Sequence, residues 1–540
     1  MLKIVRPILV TFSIILYLGW IYFPALTTHY LHHDDVNYFL RTTTQTEPKG
    51  YQFSLAIGRF VGARIYAAYG ALVNSVADLN LLRISSFIQI IICILILYHL
   101  LTRYLKNRFH ALSISLLIGT LPGFQVLVTF AAYAFQTTGA LLGLTAAYIL
   151  SRIPADENNP KYFIHPLNLL SIPCLIAAIA THPSTSLLYW AGITILFLSY
   201  AKDYSLKTTA LKMINPFFTA FVSMGLYAVI IGVTKKYFNT THLGFYDPYG
   251  ITVDYIEKLK WFFREPFFNS LNLWNIFPNH LIANGVLIFI LITAFAYGAC
   301  SIIKSPISIR KNLILRFIFI GILLSALLFL SFITNLLAVS NAPYYRCCIA
   351  LGTIILILLF LSIRQWFELF PTMYRQHMFS LFLLLCLIFV GYYARLTLVN
   401  NRVKPSQIEF AHLMSSLKKV NLFQYQRIYV IQLDRFLIKT RYDEFGTPTT
   451  HYDEDIIGFI SAGIREYVKN EYTAYYIGFD FKTKIATYIF MDKNGEKHAF
   501  YVMISAGAQD KAINGMDATL VIDMTPLYYK SGELAYLRLE

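Results

Sequence analysis

The chain has 540 residues, 57% of them hydrophobic and only 14% charged, with a formal net charge of +16. A soluble protein of this size needs a far more charged surface, so the composition excludes an ordinary soluble domain and predicts a polytopic membrane protein. The positive charge is spread through loops with no compact Lys/Arg patch, which sets nucleic acid aside and makes the lipid bilayer the first partner.

Lys3 and Arg6 precede an apolar run that is longer than a signal-peptide core and reads as an uncleaved signal anchor. Further runs of spanning length lie at 80–101, 111–130, 132–151, 167–182, 185–201, 214–234, 281–302, 313–334, 346–363 and 378–398, which with 7–27 predict about eleven transmembrane helices. With the N-terminus inside, the alternate loops carrying Arg103, Lys106 and Arg108, then Arg152 and Lys161, then Lys202, Lys207 and Lys212, then Lys304, Arg310 and Lys311, then Arg364 and Arg375 become cytoplasmic. These loops are short and basic, as the positive-inside rule requires, and the C-terminal tail falls outside. The cysteines, Cys93, Cys174, Cys300, Cys347, Cys348 and Cys386, lie in or beside apolar runs without metal-ligand spacing, so disulfides are not expected.

Directly after the first run come His29, His32, His33, Asp34 and Asp35. Ionisable groups at a membrane boundary are costly unless hydrated, paired or used, which makes this stretch a candidate site; a hydrated loop whose acids cap the next helix is the alternative. The predicted outer loop 27–79 continues through residues 51–60 into a small-residue stretch that reads as an interfacial helix with Arg59 and Arg64 on its polar side. A second outer loop, 235–280, holds a turn-rich aromatic segment with Asp247 and an amphipathic aromatic segment, 253–268, again suited to the interface.

From about residue 400 the composition becomes that of a soluble domain. Segments 427–433, 483–491, 498–504 and 518–522 predict strands and 452–470 a helix, so the expected organisation is a polytopic unit, 1–399, and an extracytoplasmic α+β domain, 400–540. The acidic and aromatic residues of 441–446 and 451–455 suit sugar binding and equally a cation site or a helix start. There is no phosphate-binding glycine loop and no sizeable cytoplasmic segment to hold a nucleotide, so a substrate is expected to be lipid-borne and handled on the outer face.

A first span, an acidic pair just beyond it, an interfacial helix and many further spans resemble the GT-C class of integral membrane glycosyltransferases. Within that class, His33-Asp34-Asp35-Val36-Asn37-Tyr38 followed by Gly58-Arg59-Phe60 most resembles the bacterial GtrII-like glucosyltransferases. The motifs cover the N-terminal part of the chain and the topology the rest; the tail has no counterpart in the shorter family members. The resemblance implies a polyprenyl-phosphate sugar as donor, a bacterial inner membrane, and transfer of a hexose such as glucose to an extracytoplasmic glycan acceptor such as the O-antigen of lipopolysaccharide. A separate membrane glycosyltransferase that makes the donor would be a partner.

Displacing a lipid phosphate from an anomeric carbon needs a base at the acceptor hydroxyl, and a partly buried carboxylate at the bilayer surface can serve. The class implies Asp34 as that base, with Asp35 second. Cationic donors should face the leaving phosphate: Arg59, from the family's Gly-Arg, then Arg264 and Arg346, although arginines at span ends also snorkel to headgroups. His33, Tyr38, His182 and Asp247 are further substrate-contact candidates; a His-Pro turn accounts equally for His182 and a Pro-Gly turn for Asp247. Some members of the class use a divalent cation, Mg or Mn; the histidines and acids here match no closed metal site, so no metal ligand is assigned. Competing readings are a polysaccharide polymerase, a membrane-anchored scaffold, and a lipid-linked glycan transporter or flippase, which would need mid-membrane polar residues such as Gln89, Gln136 and Asn335.

Overall fold

The computed structural model describes residues 2–30, 35, 51, 54–55, 57–73, 75–153, 165–237, 252–274, 280–303, 307–339, 341, 344–419, 427–432, 472–480, 485–492, 497–506 and 519–523. In chain order the helices are α1 (Leu2–Thr27), α2 (Phe60–Gly70), α3 (Leu79–Leu105), α4 (Arg108–Gly119), α5 (Pro122–Thr129), a single 3-10 turn (Ala131–Tyr133), α6 (Ala134–Ser151), α7 (Pro166–Thr181), α8 (Pro183–Ser186) and α9 (Leu188–Asp203). They continue as α10 (Leu206–Tyr237), α11 (Tyr255–Arg264), α12 (Pro266–Leu271), α13 (His280–Ile303), α14 (Ile307–Leu330), α15 (Ile333–Leu337), α16 (Ile349–Phe367) and α17 (Thr372–Leu398). A π-helical turn, Val399–Val403, then leads into α18 (Lys404–Lys418).

Every apolar run of the sequence carries a helix. Among the described residues, seven are long and apolar enough to cross a membrane, eight if the bent pair α4–α5 is one span, and the protein is a helical, multi-pass membrane protein by that measure. The expected number was about eleven, and the difference has local causes. The 111–130 run bends by 57° where Gly119, Thr120 and Leu121 lead into Pro122, a residue that starts a new helix rather than continuing the old one. The backbone groups freed there find partners, as a lipid environment demands: Tyr22 Oη donates to the Gly119 carbonyl at 2.7 Å and Gln125 Nε2 to the Thr120 carbonyl at 2.9 Å. The apolar stretch Pro166–Thr181 falls short of spanning length, and α6 opens on polar Gln136, Thr137 and Thr138.

The Pro183–Asp203 stretch is almost wholly enclosed by its neighbours, whereas Asn312–Leu330 is almost wholly open. Phe221, Val229, Val233 and Ile322 project outward from α10 and α14, a surface suited to lipid rather than water. Small residues let helices approach closely. A Cβ on Gly143 would collide with the Ser186 carbonyl, and one on Gly62 would meet the Thr181 carbonyl at 2.5 Å. These contacts fix α8 against α6, and α2 against the end of α7.

Among the described residues, several basic side chains gather at one end of the bundle. There Arg103 donates to the Ser151 carbonyl, Lys202 to the Tyr104 carbonyl, and Arg316 to the carbonyls of Ala201 and Tyr204. The site described below lies at the opposite end, since it is built on the N-terminal end of α3 and Arg103 sits at its C-terminal end.

Five strands follow α18: β1 (Arg427–Gln432), β2 (Tyr472–Asp480), β3 (Ile485–Asp492), β4 (Lys497–Ala506) and β5 (Thr519–Asp523). They form one sheet in the order β2-β3-β4-β1-β5, with β1 parallel to both of its neighbours and the other pairs antiparallel. The strand at 472–480 has no counterpart among the segments expected from the sequence, and the helix expected at 452–470 lies outside the described residues.

Candidate functional site

An arginine in the first turns of a spanning helix is doubly unfavourable, because it is charged and because it sits at the positive end of the helix dipole. Arg83 of α3 is such a residue, and it is fully buried. Asp35 answers both problems. Arg83 Nη2 donates to Asp35 Oδ2 at 3.0 Å, with both side chains at 0% exposure. Three more guanidinium hydrogens go to the Tyr30 carbonyl (2.8 Å), the Thr129 carbonyl (3.1 Å) and Asn80 Oδ1 (2.8 Å), and the guanidinium lies 3.8 Å from the centre of the Tyr30 ring. The second carboxylate oxygen, Asp35 Oδ1, accepts the Ala132 backbone N–H at 2.7 Å. That amide opens the 3-10 turn between α5 and α6, where a helix start leaves N–H groups without an internal partner. Asp35 thereby joins the end of α1, the start of α3 and the α5–α6 break.

The next residue on that turn, Tyr133, leads to the second cluster. Its hydroxyl receives a hydrogen bond from Arg346, whose guanidinium lies between the rings of Tyr133 (4.4 Å) and Tyr344 (4.5 Å). Gly58, at φ +83°, turns the chain in a conformation that favours glycine, and a Cβ there would meet Ile231 at 2.9 Å. The Arg59 N–H then bonds the Ser54 carbonyl at 2.7 Å, and Tyr227 Oη anchors the Gly58 carbonyl at 3.2 Å. Arg59 is therefore fixed at the N-terminus of α2, which packs through Gly62 on the end of α7.

His182, in the break between α7 and α8, lies within reach of both charges. Burial, then Arg59, then Arg346 hold its imidazole well below the usual histidine range, so it is neutral. Its Nδ1 accepts the Thr185 N–H at 3.3 Å, placing the proton of the neutral ring on Nε2, and Phe135 packs edge-on at 5.9 Å. The residue is an N-cap in a His-Pro turn and also a neighbour of two arginines. A histidine held neutral only by the fold takes up its proton more readily when unfolded, so stability falls as the pH drops below about 6.5. His182→Asn is expected to flatten this acid limb in thermal melts; an unchanged pH profile would remove His182 as its source.

Arg264 is not brought to this cluster by any described contact. It is exposed at the C-terminal end of α11, a helix that buries Lys258, Trp261 and Phe262 and presents Ile256, Leu259 and Phe263 outward. That apolar outer face agrees with the interfacial character expected of this segment. Lys258, the buried cation of α11, is held by Asn341 Oδ1 at 2.7 Å, and burial pushes its ammonium down to about 8. His33, Asp34, Tyr38 and Asp247 lie outside the described residues. Among the described residues no group of three or more His, Cys, Asp or Glu side chains could hold a metal ion, and both oxygens of Asp35 are already engaged by Arg83 and Ala132.

Sequence reasoning missed Arg83, Tyr133 and Tyr227. For Arg83 a signal existed: a charge within the fifth position of a membrane-length helix marks a partner or a function. Nothing local marked the two tyrosines. No family model matches the chain, and no curated protein sequence does.

Proposed function

We propose that this chain is a GT-C-type glycosyltransferase of a bacterial inner membrane, akin to the GtrII-like glucosyltransferases. It transfers a hexose from a polyprenyl-phosphate donor to an extracytoplasmic glycan acceptor. The observation that carries this reading is that the charges of Arg59 and Arg346 both bear on the buried His182, while Arg346 donates to Tyr133, the residue after the Ala132 amide that anchors Asp35. Two cations whose fields overlap make a positive region, which suits a phosphate leaving group.

In this reading Asp34, the covalent neighbour of the anchored Asp35, deprotonates the acceptor hydroxyl, which attacks the anomeric carbon. The carbon–oxygen bond to the lipid phosphate breaks with inversion, and Arg59 and Arg346 stabilise the phosphate as its charge develops. The remaining apolar stretches complete the spans, the basic end of the bundle faces the cytoplasm, and the five-stranded sheet belongs to an extracytoplasmic α+β domain. The test is mass spectrometry of surface glycans from cells carrying wild type, Arg59→Leu, Arg346→Leu or no protein, at matched expression. Wild type should add a hexose increment that is absent without the protein and reduced about 100-fold in Arg346→Leu. Identical glycans with and without the protein would end the proposal.

A further inference from the structure

The 3-10 turn Ala131–Tyr133 carries more than Asp35. Its middle residue, Ala132, gives its N–H to Asp35 Oδ1 at 2.7 Å, and its carbonyl accepts the hydroxyl of Tyr66 of α2 at 3.1 Å. Its last residue, Tyr133, takes the hydrogen bond of Arg346. One short stretch of backbone thus touches Asp35, the helix that follows Arg59, and the arginine that precedes α16.

The spacing of Gly62, Ala63 and Tyr66 puts the three on one buried face of α2, and the Ala63 N–H bonds the Arg59 carbonyl at 2.7 Å. The Tyr66 ring packs on Phe135 of α6 at 4.1 Å, and Phe135 meets His182 edge-on at 5.9 Å. Gly62 and Ala63 let α2 come close to its neighbours, but small apolar side chains do not fix how far a helix slides or turns. The Tyr66 hydroxyl does, because a hydrogen bond has a length and a direction. Two guanidiniums grip one phosphate only at the right separation, and a misplacement of about 1 Å is enough to spoil such a site. We propose that Tyr66 is a positioning residue: by bonding the Ala132 carbonyl it sets Arg59 at a fixed distance from Arg346, so that both cations meet the same phosphate. This inference rests on the phosphate reading of the two arginines and adds what holds their spacing.

Tyr69, three residues on, supplies the comparison. Its hydroxyl bonds Ser85 Oγ of α3 at 3.0 Å, so it fastens the same helix without touching the turn. The full chain in lipid nanodiscs is titrated with a short polyprenyl phosphate, for wild type, Tyr66→Phe, Tyr69→Phe, Arg59→Leu, and Tyr66→Phe combined with Arg59→Leu. Each tyrosine variant keeps its ring and loses one hydroxyl, which thermal melts without ligand register as a small loss in both. Tyr66→Phe should bind the lipid phosphate about tenfold more weakly than wild type, and Tyr69→Phe as tightly as wild type. With Arg59→Leu already present, Tyr66→Phe should cost no further affinity, since a residue that acts through Arg59 then has nothing left to place. Suppose Arg59→Leu alone weakens binding. Then wild-type affinity in Tyr66→Phe, an equal loss in both tyrosine variants, or the same loss again on top of Arg59→Leu overturns the positioning role and leaves the phosphate reading standing. If Arg59→Leu binds as tightly as wild type, the phosphate reading falls and the positioning role falls with it.

Discussion

Asp35→Leu is expected to destabilise the folded chain by about 3–5 kcal/mol, the cost of leaving a buried charge without its partner. The side chain of Arg83 is fully enclosed, so water cannot replace the carboxylate, and the carbonyls of Tyr30 and Thr129 supply dipoles rather than a countercharge. The Ala132 N–H loses its acceptor in the same variant. Removing both partners is a different experiment. Asp35→Leu with Arg83→Met takes away the charge together with its counterion, and buried pairs replaced in this way are often neutral in stability. The double variant should therefore recover most of the loss, a strong non-additivity of the kind that contacting residues show. Thermal melts of the four proteins in one detergent decide the matter. An Asp35→Leu variant that melts with wild type would mean that the pair does not hold the α5–α6 break.

If the chain transfers a hexose as proposed, Asp34→Asn is expected to lower kcat/KM by about 10²- to 10⁴-fold, the usual contribution of a positioned general base. Asparagine keeps the size of the side chain and removes its ability to take a proton. The donor KM should change little, because the proton moves only in the transition state, whereas Arg346→Leu should raise it by weakening the grip on phosphate in the ground state as well. Proteoliposomes supplied with a polyprenyl-phosphate hexose separate the two effects. The geometry of Asp35 explains why Asp34 is favoured for the role. Asp35 already accepts from a guanidinium at 3.0 Å and a backbone amide at 2.7 Å, and to act as a base it would have to leave them. An Asp34→Asn enzyme within about threefold of wild type would remove the general-base assignment.

The sequence by itself determined that this is a multi-pass membrane protein and where its helices lie. Burying the backbone in hydrocarbon demands a helix under each long apolar run, and run length is a local property. The amphipathic pattern of α11 was legible for the same reason, as was the turn at His182, written in a single His-Pro pair. Only the tertiary structure decided that Asp35 meets Arg83, 48 residues further on, and that the charges of Arg59 and Arg346 both reach His182. An arginine at the end of one apolar run reads the same as an arginine at the end of another. What separates Arg346 from Arg264 is which helix ends touch. That depends on close approaches such as Gly62 on the Thr181 carbonyl and Gly143 on Ser186, which are shape complementarities between distant segments and leave no period or spacing in either one.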